Sequence, residues 1–286
     1  MAVYKRGYRR YQGHLTGYWS RLLALPRFAW SRLMAQRLVV IVMMVSLFWP
    51  LACGVFIYVS NHTELWQGLD RGFTRFLEIN PRFFVIFMNF QAVFAVLLAA
   101  FAGPSLIAPD LANNALPLYF SRPMSRADYV LARMLVLLGL LSPVTWVPGV
   151  LLFGMQTGMA GWDWFQLNWK IGLGILGGFL LWITFVSMVA MASSAYVKWR
   201  IVAGGLVLAF FFVLAGAGAM IDNILRVEWG SLLNPTLAVN KIWRWLLGAE
   251  ALPGPEAYEH AIALAVMAAG LLWVLNRKLR PVEVVS

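Results

Sequence analysis

Residues 38–60 read LVVIVMMVSLFWPLACGVFIYVS, a run of 23 residues without a charged side chain. A helix of about 20 apolar residues is long enough to cross the hydrocarbon core of a bilayer. The apolar residues do not alternate with polar ones, as they would in the strands of a membrane β-barrel. The run therefore predicts a membrane-spanning α-helix, and it decides the fold class of the chain.

Five more runs of this kind follow along the chain, so six membrane spans are predicted. Their bounds are 38–60, 83–107, 129–153, 171–192, 201–221 and 260–276. Only 12% of the 286 residues are charged, and this is about half the share found in soluble domains. We therefore expect an all-α membrane protein, with a cytoplasmic basic arm at 1–37 and a six-span transmembrane domain at 38–286.

The basic residues are divided unevenly between the two sides of the predicted bundle. The side that carries both termini has sixteen Lys and Arg, and the opposite side has seven. Because Lys and Arg near span ends favour the cytoplasmic side, we expect both termini in the cytoplasm. The protein would then be a multi-pass protein of the plasma membrane, the inner membrane of a bacterium. This orientation accounts for the net charge of +11 without a nucleic-acid partner.

The end of the basic arm carries a helical pattern. Between residues 27 and 37, Trp30, Leu33 and Met34 share one face, and Pro26 suits the first turn of a helix. The pattern predicts an interfacial helix on the inner membrane surface, leading into the first span. A simple charged anchor is an equally good interpretation of the same residues.

The segment 222–258 lies between the fifth and sixth spans and holds apolar pieces that are too short to cross a membrane. It places Trp243 and Trp245 among charged residues. Because tryptophan favours the membrane–water interface, we expect short outer helices that dip into the outer leaflet. An ordinary extracellular loop is the alternative.

Polar residues within the predicted spans are few, and small residues recur there at four-residue spacing. Four polar residues either face a cavity or bond a neighbouring helix: Asn89, Gln91, Thr184 and Ser187. Three prolines should kink the first and third spans: Pro50, Pro143 and Pro148. Arg133 is charged, and we expect it to snorkel to the inner surface. Gly174 and Gly178 should let another helix approach the fourth span closely.

The sequence contains none of the motifs that would let the chain capture chemical energy. It lacks the G-x-x-x-x-G-K-[ST] phosphate loop, the H-E-x-x-H metal pair and the G-x-S-x-G nucleophile turn. The predicted spans also carry no ionisable residue at mid-depth, which ion-coupled carriers need. We therefore expect a chain that is not itself an enzyme and that holds no cofactor or metal.

The stretch between the second and third spans combines polar, aromatic and basic residues. In the run PDLANNALPLYFSRPMSRADYVLAR, Asp110 is followed by the motif SRPMSR at 121–126 and then by Tyr129, Leu131 and Arg133. This pattern resembles the cytoplasmic segment of ABC-2 type permeases, the membrane subunits of a large class of ABC transporters. The layout of that family is similar to the predicted layout over essentially the whole chain.

The resemblance implies a permease subunit of an ATP-driven exporter, coupled to separate ABC ATPase subunits that bind ATP and Mg²⁺. It also implies a second copy or a homologous permease as dimer partner, and accessory or periplasmic subunits as further candidates. The segment after the second span would be a cytoplasmic coupling helix seated in a groove on the ATPase. The residues carried over to this interface are Asp110, Asn113, Asn114, Leu118, Tyr119, Phe120, Ser121, Arg122, Pro123, Ser125 and Arg126.

Two other functions stay open at the level of sequence. One is a non-transporting membrane anchor or regulatory subunit of a larger complex. The other is an intramembrane enzyme, which the missing catalytic groups disfavour. Tyr119 and Phe120 beside Leu118 favour a docking segment over an unengaged loop, because contiguous exposed apolar groups mark interaction sites.

Overall fold

The computed structural model describes residues 17–62, 78–113, 115, 125–197 and 199–278, and every regular element within them is helical. The α-helices are α1 (Tyr18–Met34), α2 (Arg37–Ser46), α3 (Phe48–Asn61), α4 (Pro81–Ala102), α5 (Ala108–Ala112), α6 (Arg126–Leu141), α7 (Trp146–Ala160), α8 (Trp162–Tyr196), α9 (Arg200–Leu225), α10 (Pro235–Leu247) and α11 (Ala257–Lys278). Short 3₁₀ helices lie at Gly103–Ser105, Ser142–Val144 and Trp229–Leu233. The predicted all-α class is confirmed.

Six helical segments are long and apolar enough to cross a membrane. They are Arg37–Asn61, Pro81–Asp110, Arg126–Ala160, Trp162–Tyr196, Arg200–Leu225 and Ala257–Lys278. Each contains one of the six predicted spans, so the prediction of a six-helix, multi-pass membrane architecture is confirmed. The fourth membrane helix, α8, begins nine residues earlier than predicted, because the tryptophan-rich sequence before Ile171 is helical as well.

The first membrane helix is divided into α2 and α3 by a turn at Leu47. Pro50 has no N–H and therefore cannot bond the carbonyl of Ser46, four residues earlier. That carbonyl instead accepts a 3.2 Å hydrogen bond from the side-chain Nε2 of Gln91 in α4. A buried glutamine thus supplies the donor that the proline lacks, and the helix is interrupted just before Pro50, where the sequence predicted a kink.

The third membrane helix is also interrupted, and α6 passes to α7 through the 3₁₀ turn that contains Pro143. The Thr145 hydroxyl donates to the Leu141 carbonyl at 2.9 Å and so satisfies one carbonyl of the interrupted turn. The helix is therefore interrupted at Pro143, where the sequence predicted a kink. Pro148 does not add a second one, because it lies in the first turn of α7, where a missing N–H costs nothing.

The long helix α8 is central and packs against α4, α6, α7, α9, α10 and α11. Two of its glycines, Gly174 and Gly178, lie where α10 crosses it. A Cβ atom added to Gly178 would come within 2.6 Å of Trp243, and one added to Gly174 would come within 2.8 Å of Leu247. The glycine spacing predicted a close approach of helices, and the structure places that approach inside one bundle.

Helix α1 differs from the prediction in its length and in what it contacts. It begins at Tyr18, nine residues earlier than predicted, so Pro26 lies inside the helix and not in its first turn. Its apolar face packs on α6, where Leu33 is buried and the Trp30 Nε1 donates to the Val136 carbonyl at 3.2 Å. The face that the sequence suggested for the membrane surface is therefore largely covered by the protein. This packing offsets the one backbone hydrogen bond that an internal proline removes.

The chain between α9 and α11 folds as the 3₁₀ helix at Trp229–Leu233 followed by α10. Asn234 caps α10 by accepting from the backbone N–H of Leu237 at 3.2 Å, and Pro235 takes the first helical position. Trp243 and Trp245 were expected together at the membrane interface, but Trp243 is 1% exposed and Trp245 is 72% exposed. Two residues apart on a helix point to nearly opposite sides, so one tryptophan enters the bundle and the other faces away from it.

Candidate functional site

The segment with the family-like motif starts at the end of α5 and finishes at the start of α6. Three residues from its two flanks meet in a cluster: Asp110, Tyr129 and Arg133. The Asp110 Oδ2 accepts from the Tyr129 hydroxyl at 2.7 Å and also forms an ion pair with the Arg133 guanidinium. The side chains of Arg133 and Asp110 are only 9% and 15% exposed. This flank cluster joins the end of the second membrane helix to the beginning of the third.

The flank cluster changes the expectation for Arg133 and gives Asp110 partners within the chain. Arg133 does not snorkel to a surface, because a carboxylate of the neighbouring span neutralises it within the protein. Asp110 bonds Tyr129 and Arg133 inside the chain, and its contact with an ATPase subunit stays a prediction. Tyr129 and Arg133 stand one helical turn apart and so share a face of α6. This spacing was the available signal for a common acidic partner.

The start of α6 is fixed by Ser125. Its hydroxyl accepts from the Asp128 backbone N–H at 3.1 Å, and the Asp128 carboxylate accepts from the Ser125 backbone N–H at 2.9 Å. This is a capping box, so the Ser125 side chain orders the start of α6, and its contact with a partner stays a prediction. The Tyr18 hydroxyl of α1 donates to the second oxygen of Asp128, and this bond raises the pKa of Tyr18.

Helix α1 is therefore attached to α6 at two places, Tyr18 near its beginning and Trp30 near its end. A cavity of about 170 Å³ remains between α1 and the flank cluster, lined by Phe28, Leu33, Arg32 and the Asp110–Arg133 pair. It is smaller than the pockets of roughly 300–1,000 Å³ that hold drug-sized ligands. Through its contacts with α6, α1 lies across the end of the bundle where the motif segment begins and ends.

The remaining predicted interface residues divide into two groups. Asn113 and Arg126 flank the segment and are exposed. The others lie outside the described residues: Asn114, Leu118, Tyr119, Phe120, Ser121, Arg122 and Pro123. Their contact with a partner stays a prediction.

The four polar residues predicted for a cavity or for helix contacts have different surroundings. Asn89 lines a cavity, described below. Gln91 bonds the backbone of α2, so the helix-contact alternative applies to it. Ser187 donates to a carbonyl of its own helix at 2.6 Å, and Thr184 is half-buried in α8.

A cavity of about 390 Å³ lies between α4, α8, α9 and α10. Most of its lining is apolar, and Trp182 and Trp243 form part of its inner wall. Asn89 of α4 and Thr236 of α10 contribute the polar side chains. We call this space the bundle cavity.

The sequence analysis missed a buried lysine on α10. Lys241 is 6% exposed, and its Nζ donates to the carbonyls of Pro253 and Pro255 at 2.7 and 3.2 Å. Burial lowers the pKa of the Lys241 ammonium, and the nearby Glu228 opposes that shift. The lysine holds the chain before α11 against α10. Its position beside Ile242, on the apolar side of a short helix, was the only hint in the sequence.

The structure shows no candidate metal site in the part of the chain that it describes, since no three His, Cys, Asp or Glu side chains there have the geometry to hold a metal ion.

Neither a protein-family model nor a curated protein sequence matches the chain significantly.

Proposed function

We propose that this chain is the membrane-spanning permease subunit of an ATP-driven ABC-2 type transporter, working as an exporter with separate ATPase subunits. The observation that carries the proposal is the flank cluster of Asp110, Tyr129 and Arg133. It attaches both ends of the motif segment to two membrane helices at once. A coupling helix needs such an attachment, because a push on the segment must move the spans rather than bend a loop.

The ATPase subunit would bind the motif segment between the exposed Asn113 and Arg126. Tyr119 and Phe120 would enter an apolar groove of that subunit, and Arg122 would meet acidic side chains. ATP and Mg²⁺ would bind in the ATPase subunit, since the sequence of this chain has no phosphate loop.

The proposal places α1, the motif segment and both termini in the cytoplasm, with α10 on the outer side of the plasma membrane. The support for this orientation is the sixteen-to-seven distribution of Lys and Arg between the two sides. In this orientation α1 lies at the inner membrane surface as an interfacial helix. The helix α10 and the preceding 3₁₀ helix are then the short outer helices between the fifth and sixth spans.

A second copy of the chain, or a homologous permease, would complete the transporter. Support comes from the exposed surface of three membrane helices. In an 18-residue apolar stretch of the first, fifth and sixth membrane helices, only 22%, 28% and 17% of the stretch is buried. Three exposed alanines at four-residue spacing on α11 suit close helix packing: Ala261, Ala265 and Ala269. Lipid would cover the surface that the partner leaves free.

The proposal is tested by co-expressing the chain with its ATPase subunit and changing the motif segment. The double variant Arg122→Glu and Arg126→Glu should reduce co-purification of the ATPase, since like-charge contacts across an interface cost several kcal/mol. The matched control is Arg277→Glu with Lys278→Glu, at the end of α11. Equal co-purification with both double variants would contradict the proposal and favour an anchor or regulatory subunit.

A further inference from the structure

The bundle cavity opens on the side of the bundle at membrane depth. At its rim, Val93 of α4 and Phe212 of α9 are 59% and 76% exposed. Both belong to membrane helices, whose mean hydropathy is 2.3 and 2.4. A bilayer offers hydrocarbon and no water at this depth. Where a second copy of the chain does not cover α9, the molecules that meet the rim are therefore lipid acyl chains.

The wall of the bundle cavity offers few polar groups to a ligand. The Asn89 amide already bonds the Val85 carbonyl and Asn240, each at 2.8 Å. The Trp182 Nε1 donates to a carbonyl of α4 at 3.3 Å, and the Nε1 edge of Trp243 faces α8. A bound water needs two to four polar partners. The lining therefore favours an apolar occupant over water or a polar solute.

The size of the bundle cavity suits one hydrocarbon chain. An apolar protein cavity of about 150 Å³ holds benzene, so a volume of about 390 Å³ corresponds to roughly fifteen carbon atoms. Along α4 the lining extends from Asn89 to Leu97, a rise of about 12 Å. This is a large part of one acyl chain and too little for a whole phospholipid.

The two ends of the bundle cavity differ in polarity. Asn89 and Thr236 lie at one end, and Leu97 and Leu208 lie at the other. The Asn89 amide nitrogen has a second N–H beyond the one that bonds Val85, and an ester carbonyl can accept it. The polar end therefore favours the ester of a lipid, and the apolar end favours the methyl end of the chain.

We propose that the bundle cavity binds one acyl chain of a bilayer phospholipid, inserted between α4 and α9 with its ester near Asn89. The proposal rests on the cavity and its position in the bundle, and it does not depend on the permease function. Its test likewise requires no ATPase subunit.

The test uses the full chain in phospholipid vesicles that contain a phosphatidylcholine with a diazirine in the middle of one acyl chain. After irradiation, peptide mass spectrometry locates the lipid adducts. Adducts are expected at the rim on Phe212 and also on the inner wall, at Trp182, Val239 or Trp243, which are each only 1% exposed. Adducts at the rim without adducts on the inner wall would overturn the proposal.

Two cavity-filling variants test whether the inner-wall adducts come from a chain inside the bundle cavity. Ala215→Phe and Leu208→Trp each add a ring to the lining, and each should lower inner-wall adducts roughly tenfold, because a filled space of this size excludes a chain. The matched control is Ala219→Phe, one turn further along α9 on its exposed side. Adducts on Phe212 show that a variant is inserted and folded. Inner-wall adducts that persist in the filling variants, or fall equally in the control, would also overturn the proposal.

Discussion

The ion pair between Asp110 and Arg133 should be one of the strongest determinants of stability at the α1 end of the bundle. Both side chains are largely buried, and removing one partner of a fully buried pair costs about 3–5 kcal/mol. We expect Arg133→Met to cost about 3 kcal/mol, because Asp110 then loses its cation while it keeps the Tyr129 hydroxyl as a donor. Tyr129→Phe removes the hydroxyl that donates to the Asp110 carboxylate and should cost about 1.5–3 kcal/mol.

A double-mutant cycle separates the interaction itself from the loss of packing. Asp110→Ala with Arg133→Met removes both charges, so neither is left buried without its partner. The double variant should therefore cost less than the sum of the two single variants, with a coupling energy of about 2 kcal/mol. The free energy of unfolding is measured by titrating sodium dodecyl sulfate into detergent micelles that hold the protein. Arg126→Met, which removes an exposed cation, is the control and should change the free energy of unfolding by about 0.5 kcal/mol or less.

The same variants distinguish attachment of the motif segment from its docking. If the flank cluster attaches the segment to the spans, Arg133→Met should leave ATPase binding intact and reduce substrate-stimulated ATP hydrolysis by the complex. Additive single costs in the unfolding cycle would refute the argument for a coupled buried pair. Unchanged stimulation in Arg133→Met would refute its role in transmitting motion.

Three further predictions use the same unfolding titration. Gly178→Ala should cost about 1–3 kcal/mol because the new methyl group meets Trp243 of α10. The control Gly177→Ala adds its methyl group to open space and should be neutral or stabilising by up to about 1 kcal/mol. Equal effects of the two variants would contradict the packing of α8 on α10. Lys241→Met should cost about 1–3 kcal/mol and speed proteolysis before α11, because two carbonyls lose their donor; an unchanged rate of cleavage would argue against that tether. Gln91→Met should cost about 1–3 kcal/mol, because the Ser46 carbonyl loses its donor. The cost should be distinctly smaller in a Pro50→Ala background, where the backbone N–H of Ala can bond that carbonyl. Equal costs in the two backgrounds would show that Gln91 does not replace the donor that Pro50 lacks.

The six membrane helices could be predicted because a continuous apolar run of sufficient length has few other stable environments. Helix ends were less predictable. Pro26 was interpreted as the start of α1, but packing of Trp30 on α6 keeps the helix intact across the proline. Local sequence rules give the cost of a proline inside a helix, and they do not include the tertiary contacts that offset it.

The candidate site was only partly predictable for a similar reason. The motif around Asp110 and Arg133 could be recognised, but their pairing depends on how the second and third spans are rotated against each other. The sequence pattern carries no information on that rotation. The burial of Trp243 and Lys241 also follows from packing, because Trp243 lies against Gly178 of α8 and Lys241 is covered by the chain before α11.

The central claim is that the motif segment docks on an ATPase subunit, and site-specific photocrosslinking in native membranes tests it most directly. A photoreactive amino acid is placed at Arg126, which is exposed beside the segment, and at Trp245, which is exposed on α10 as the control. The account predicts that Arg126 crosslinks to a protein carrying a G-x-x-x-x-G-K-[ST] phosphate loop, and that Trp245 does not. The absence of such a crosslink from Arg126, or an equal one from Trp245, would contradict it.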